Sequence, residues 1–185
     1  MRRTVLLALA LSSASPALAD QPLLRPSRDV DLTYRSPAPR GGEVEQRVRW
    51  LAAAQTMRID PSGSGLHVII DYVARRMSVV RDAARSVVDM TAPDSMAAMT
   101  GGGTASSFVR RGEATVAGQA CTEWQTQDRE ARPALVCITG DGVLLRAAAE
   151  GQVVVSAVSV RYGPQDPAEF RVPADYARHA AGAGR

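Results

Sequence analysis

The sequence predicts a mainly β protein built on an antiparallel sheet, and three observations carry that reading. Short runs rich in Val, Ile and Met recur at intervals of about 8 to 12 residues, separated by turn-forming Gly, Pro, Ser and Asp. Only short stretches between residue 20 and the C-terminal end have helical character, so alternating βαβ units are excluded. Both cysteines, Cys121 and Cys137, flank a polar tip at 127–131, as in a hairpin.

From the N-terminus, Arg28–Arg35 alternates, with Val30, Leu32 and Tyr34 on one side. The two prolines and two glycines of 36–42 break the strand. Residues 43–54 fit either a strand, with Val44, Val48 and Trp50 on one side, or a helical stripe of Val44, Val48 and Leu51. The strand is favoured by the alternation of Arg47 and Arg49 with Val48 and Trp50. Strands follow at 56–60, 66–72, 77–81 and 86–90, joined by polar turns, as an antiparallel meander.

Ala92–Thr100 is the best helix candidate. Pro93 suits a first helical position, Asp94 favours the positive end of the helix dipole, and Gly101-Gly102-Gly103 ends the segment. Met96 and Met99 share one face, which suits a lid lying across the sheet.

The stretch 111–150 holds three strand-and-turn patterns. If the hairpin is centred on residue 129, Cys121 and Cys137 face each other and form a cross-strand disulfide, while Trp124 lies opposite Ala134 with Val136 and Ile138 on its face. A bridge closing a loop of that length stabilises by about 3 kcal/mol in the chain-entropy model. Gly140-Asp141-Gly142 is a tight turn into 143–148. The longest strand-like run is 152–162, and 166–170 reads as one helical turn that docks Phe170.

Residues 1–19 have the layout of a secretory signal: two arginines, an apolar run from Val5 to Leu11, and small residues up to Ala19. That run is shorter than the ~20 residues a membrane span needs. The expected organisation is a signal peptide at 1–19, a flexible leader at 20–27, a single β domain at 28–176 and a disordered tail at 177–185. The expected location is the periplasm, where a disulfide persists. Removing Arg2 and Arg3 leaves 20 basic against 19 acidic residues, a formal charge of +1, which argues against nucleic acid as a partner.

Motifs for catalysis are missing. His67 and His179 are the only histidines and have no metal-ligand or triad spacing, and no nucleophile-elbow, metalloprotease or phosphate-loop pattern occurs. The chain is therefore expected not to be an enzyme and to need no cofactor. Met90, Met96 and Met99 invite a copper(I) reading, since thioethers are soft ligands, although Met96 and Met99 at i, i+3 also make an ordinary apolar helix face.

Three stretches carry a resemblance to a known family. They are Thr115-Val116-Ala117-Gly118-Gln119-Ala120-Cys121-Thr122-Glu123-Trp124, the Gly140-Asp141-Gly142-Val143-Leu144-Leu145 turn, and the terminal run from Asp166 to Tyr176 containing Phe170-Arg171-Val172-Pro173. Together they resemble bacterial envelope proteins of the LolA-like superfamily, closest to a family of secreted domains of unknown function. That resemblance implies a strongly curved antiparallel half-barrel with one or two short helices covering an apolar concavity. It further implies a periplasmic carrier of lipid or lipoprotein acyl chains, or an envelope-stress or protein-interaction module, with no catalytic residues. The candidate cavity lining is Trp50, Met57, Ile69, Met77, Val79 and Trp124, with Met96 and Met99 above it, since ligand pockets are mostly apolar and aromatic. The alternative for each is plain core filling.

Overall fold

A computed structural model describes residues 21–92, 108–127 and 132–180. They form one mixed, curved, open sheet of twelve strands, in the order β12-β6-β5-β4-β3-β2-β1-β11-β10-β9-β8-β7. One meander comprises β1 (Val30–Pro37), β2 (Glu43–Leu51), β3 (Thr56–Pro61), β4 (Leu66–Asp71), β5 (Arg76–Arg81) and β6 (Ser86–Thr91). A second comprises β7 (Val109–Val116), β8 (Gln119–Gln127), β9 (Pro133–Ile138), β10 (Leu144–Ala149) and β11 (Gln152–Tyr162). Antiparallel pairing of β1 with β11 joins them.

Turn chemistry sets the hairpins. Ala117-Gly118 and Glu150-Gly151 join β7 to β8 and β10 to β11 with both residues at positive φ, the geometry whose twist matches the flanking strands. Register shifts at Thr33/Tyr34, Arg110/Gly112, Leu144/Arg146 and Ala147/Ala148 mark bulges, which bend and twist a sheet. Curvature brings β7 into contact with β11, four places away in the strand order. It also lets the Tyr34 hydroxyl donate to the Leu144 carbonyl across the intervening strand.

The ambiguous segment 43–54 is a strand as far as Leu51 and then one 3₁₀ turn, Ala52–Ala54, closed by Gln55 in the left-handed region. Three consecutive alanines supply no alternation to continue the strand, and Asp29 accepts from the Ala52 N–H. A second 3₁₀ turn, Pro167–Phe170, is capped by Asp166 and buries Phe170 as expected. The expected signal, residues 93–100 of the helix expected at 92–100, with Met96 and Met99, and the end of the tail lie outside the described residues.

Three expectations need correction. The hairpin register is symmetric about 130, not 129: Thr122 pairs with Ile138 and Trp124 with Val136. Centring on 129 would put Pro133 inside the ladder, where it has no N–H to donate; the observed register makes it the first residue of β9. The disulfide therefore exists but runs diagonally, with Cys137 opposite Glu123 and a Cα–Cα distance of 5.5 Å to Cys121.

The tail does not begin at 177, since Ala177–Ala180 form β12, parallel to β6. Arg178 pairs there with Asp89, and Arg85 with Asp175. Nor does the leader trail free. The Ser27 N–H donates to the Asp141 carbonyl and Arg25 stacks 4.7 Å over the Tyr72 ring. A Cβ on Gly142, which has φ of +90°, would collide with the Arg25 carbonyl, so only glycine admits this close passage.

Candidate functional site

Residues directly opposite in a sheet share a face, so the strand registers define what lines the concavity. One row runs Tyr162, Val30, Trp50, Met57, Ile70, Met77, Met90 across β11-β1-β2-β3-β4-β5-β6. Beside it runs Val160, Leu32, Val48, Ile59, Val68, Val79, Val88. Both rows are apolar apart from the Tyr162 hydroxyl and the Trp50 indole N–H. In the second meander Trp124, Val136, Ala147 and Val155 are paired in the same way and are all buried.

Burial along the rows is graded. Val30, Trp50, Met57 and Ile70 are at most 1% exposed, whereas Met77 and Met90 at the end of the same row are half-buried. Val48 and Ile59 are likewise buried, while Val68, Val79 and Val88 are half-buried. Apolar surface over β4–β6 is thus continuous with the core but less completely covered than the floor over β1–β3.

Trp50 packs at 5.7 Å against Tyr72, and Phe108 meets Trp124 edge-on at 6.5 Å. The Trp50 Nε1 and the Tyr72 hydroxyl are buried with no hydrogen-bond partner among the described residues. Burial pushes the Tyr72 hydroxyl pKa up to about 12, partly opposed by Arg25, so it stays protonated and available as a donor.

Of the sequence candidates, Trp50, Met57, Met77, Val79 and Trp124 lie on this inward face. Ile69 does not. It pairs with Arg58 and Ser78 on the outward face, and Ile70 takes the inward position. Met90, read as a thioether ligand, lies opposite Met77; its two proposed partners are outside the described residues. Sequence reading misses Ile70, Val68, Val88 and Tyr72, whose common face appears only once the strand registers are known.

The outward face over β1–β3 is instead a lattice of ion pairs. Arg47 donates twice to Asp31, at 2.8 and 2.9 Å, and Arg161 reaches the same carboxylate. Arg49 and Arg58 both hold Asp60, and both reach Glu169 of the second 3₁₀ turn. Burial alone would raise the Asp31 and Asp60 carboxyls, but hydrogen bonds and attraction from these arginines outweigh it and hold both below the ordinary carboxylate range.

No family model and no curated protein matches the chain. Solved structures do. An uncharacterized conserved protein from Thermus thermophilus superposes with a TM-score of 0.59 at 16% identity, covering 83% of this chain and 91% of that one. MucB superposes at 0.55, with 11% identity over 83% of this chain and 60% of MucB. The MucA/MucB complex of Pseudomonas aeruginosa gives 0.50, at 14% identity over 78% of this chain and 58% of that chain. The chain thus spans a little over half the length of the MucB chains. The likeness is one of fold: a curved β sheet shared at low sequence identity. A LolA superfamily protein from Nitrosomonas europaea aligns at only 0.37, too low to bear on the argument. Among the described residues no helix is long and apolar enough to cross a membrane.

Proposed function

We propose that this chain is a non-enzymatic binding module of the bacterial periplasm, with a LolA-like half-barrel that holds an apolar ligand, an acyl chain, against the inward face. The observation that carries the reading is the graded pair of apolar rows. Ile70, Val68, Met77, Val79, Val88 and Met90 present hydrocarbon continuous with the core yet half-open at its β5–β6 end. Covering it with an alkyl chain removes apolar surface from water, at about 0.8 kcal/mol per buried CH₂. Unpartnered donors at Trp50 and Tyr72 lie deeper in the same face and suit the polar end of such a ligand. The Cys121–Cys137 disulfide fits an oxidising compartment.

Two measurements test this. Protein isolated from its native envelope should yield lipid by mass spectrometry, and a fluorescent fatty-acid probe should bind saturably. A Met77→Asp/Val79→Asp variant should lose probe binding while keeping its circular dichroism spectrum. Lipid-free native protein that ignores the probe overturns the reading.

The second reading is a protein-interaction module, and the likeness to MucB favours it, since MucB was solved in complex with MucA. In that case the same inward face receives apolar side chains of an envelope protein. Crosslinking in cells followed by mass spectrometry should then recover one reproducible partner, lost with the Met77→Asp/Val79→Asp variant.

A further inference from the structure

The outward face carries a second feature that the apolar rows do not explain. Where the segment 163–180 crosses β3–β6, it roofs two clefts that share Arg171. They differ in charge. In one, Arg58 and Arg171 are matched by Asp82, Asp166 and Glu169, and most of these groups are already paired. The other, about 320 Å³, gathers Arg76, Arg171 and Arg178 against a single lining carboxylate, Asp71.

The guanidinium groups of Arg76 and Arg171 have no ion pair or hydrogen bond among the described residues, whereas Arg47, Arg49 and Arg58 over β2 and β3 are all committed. Asp71, directly opposite Arg76 in the ladder, turns its carboxylate to the Ala74 N–H instead. Arg178 is fixed by Asp89, which Ser78 also holds. Burial works to raise the Asp89 carboxyl, but Ser78, Arg178 and the nearby charge of Arg76 hold it lowered, so it stays ionised and keeps Arg178 in place. Two guanidinium groups without a hydrogen-bond partner line the same cleft as a third that is fixed, a set suited to a phosphate or carboxylate, which arginine grips bidentately. The rest of the wall mixes the hydroxyls of Thr56 and Ser78 with apolar Ile69, Phe170 and Val172, and the volume is that of a small-molecule site.

We infer that this cleft is a separate binding site for a small organic oxyanion, a phosphate or carboxylate carried on a short apolar body. The guanidinium groups of Arg76 and Arg171 take the oxyanion and Phe170 packs against the body. It lies on the opposite face of the sheet from the apolar rows, so neither site depends on the other.

The test is calorimetric titration of the full mature chain, at fixed ionic strength, with phenyl phosphate and with inorganic phosphate. Phenyl phosphate should bind more tightly than inorganic phosphate because only it fills the apolar wall. Arg76→Ala/Arg171→Ala should weaken phenyl phosphate by about tenfold or more, and Arg76→Lys/Arg171→Lys, which keeps charge but not the fork, by less. Asp89 keeps its hydrogen bonds from Ser78 and Arg178 in both variants, so the melting temperature should change little. Flotation with phosphatidylglycerol vesicles, lost in the alanine variant, would assign the oxyanion to a lipid headgroup; no flotation alongside tight phenyl phosphate binding would assign it to a free small molecule. Equal binding by wild type and the alanine variant, or no saturable binding of either probe, overturns the site.

Discussion

Arg49 and Trp50 are neighbours in β2, yet one enters an ion-pair lattice and the other the centre of an apolar row. The sheet repeats that division over β1–β3, while at the outward positions of β5 and β6 Val80 and Val87 are fully buried. Its inward face over β11 and β1–β6 is hydrocarbon, and its outward face over β1–β3 is arginine and carboxylate, holding down the C-terminal segment. The contrast teaches that the two faces serve different ends. Inward rows supply the hydrophobic free energy of folding and the candidate binding surface. Outward pairs add little energy each, since partly exposed ion pairs are screened, but they fix where the second 3₁₀ turn lies.

Replacing the inward member gives the largest expected effect. Trp50→Ala should cost about 3–5 kcal/mol in urea denaturation, as for other buried aromatics reduced to alanine. A loss below about 1 kcal/mol would mean that the inward face is not a packed core. Next comes the disulfide, which separates the two meanders in their dependence on covalent support. Cys121→Ser/Cys137→Ser should lower stability by about 3 kcal/mol, and amide exchange should speed up most in β8 and β9.

The gradient along the rows offers a finer cut. Val48 in β2 and Val88 in β6 belong to one row, yet Val48 is buried and Val88 half-buried. Val48→Ala should cost about 2 kcal/mol and Val88→Ala under about 1 kcal/mol. Equal costs would remove the half-open stretch on which the binding proposal rests.

How much of this division is legible in the sequence depends on local alternation. Val30, Leu32 and Tyr34 alternate cleanly with polar residues, and that alternation gives the correct face. Val68-Ile69-Ile70 is a continuous apolar run, so period two is silent there, and the sequence reading turns Ile69 inward where the fold turns Ile70. Phe170 and Val172, a hundred residues on, line the outward cleft together with Ile69, and Val80 and Val87 are fully buried on the same face, so the C-terminal segment gives these apolar residues an outward place that local alternation does not signal.

Pairings show the same limit. Both cysteines sit close enough in sequence to announce a bridge, but the register turns on one backbone donor missing at Pro133. β12 has no apolar signal at all, because its four residues are exposed and its place comes from Arg178 with Asp89 and from the Ala177 N–H donating to the Arg85 carbonyl. The arginine cleft is equally hidden, since Arg76 is far in sequence from Arg171 and Arg178 and joins them only in the folded chain.

On the outward face, Arg49→Met keeps most of the apolar stem and removes the charge that ties Asp60 to Glu169. Global stability should fall by only about 1 kcal/mol. The signature is local: amides of 166–170 should exchange faster, while those of β1 should not. A global loss as large as that of Trp50→Ala would erase the distinction between the faces.

The smallest and most gradual effect is that of acid, and its sign follows from the same carboxylates. Asp31, Asp60, Asp89 and Asp141 all have folded-state pKa values below the ordinary 3.8; burial opposes this in each, and hydrogen bonds and charge from arginine, serine, threonine or tyrosine override it. A depressed folded pKa means the unfolded chain binds more protons, so these groups add stability that is complete above the unfolded value and is lost as pH falls through the folded ones. Urea midpoints should hold steady from neutral pH to about pH 5 and decline below about pH 4. In Asp31→Asn/Asp60→Asn the decline should be shallower, because Asp89 and Asp141 alone of these four would remain to titrate. The inward rows contain no carboxylate, so fatty-acid probe binding at about pH 4 should survive in whatever fraction stays folded, whereas exchange at 166–170 should already be faster. Loss of probe binding ahead of that local loosening would mean the two faces are coupled.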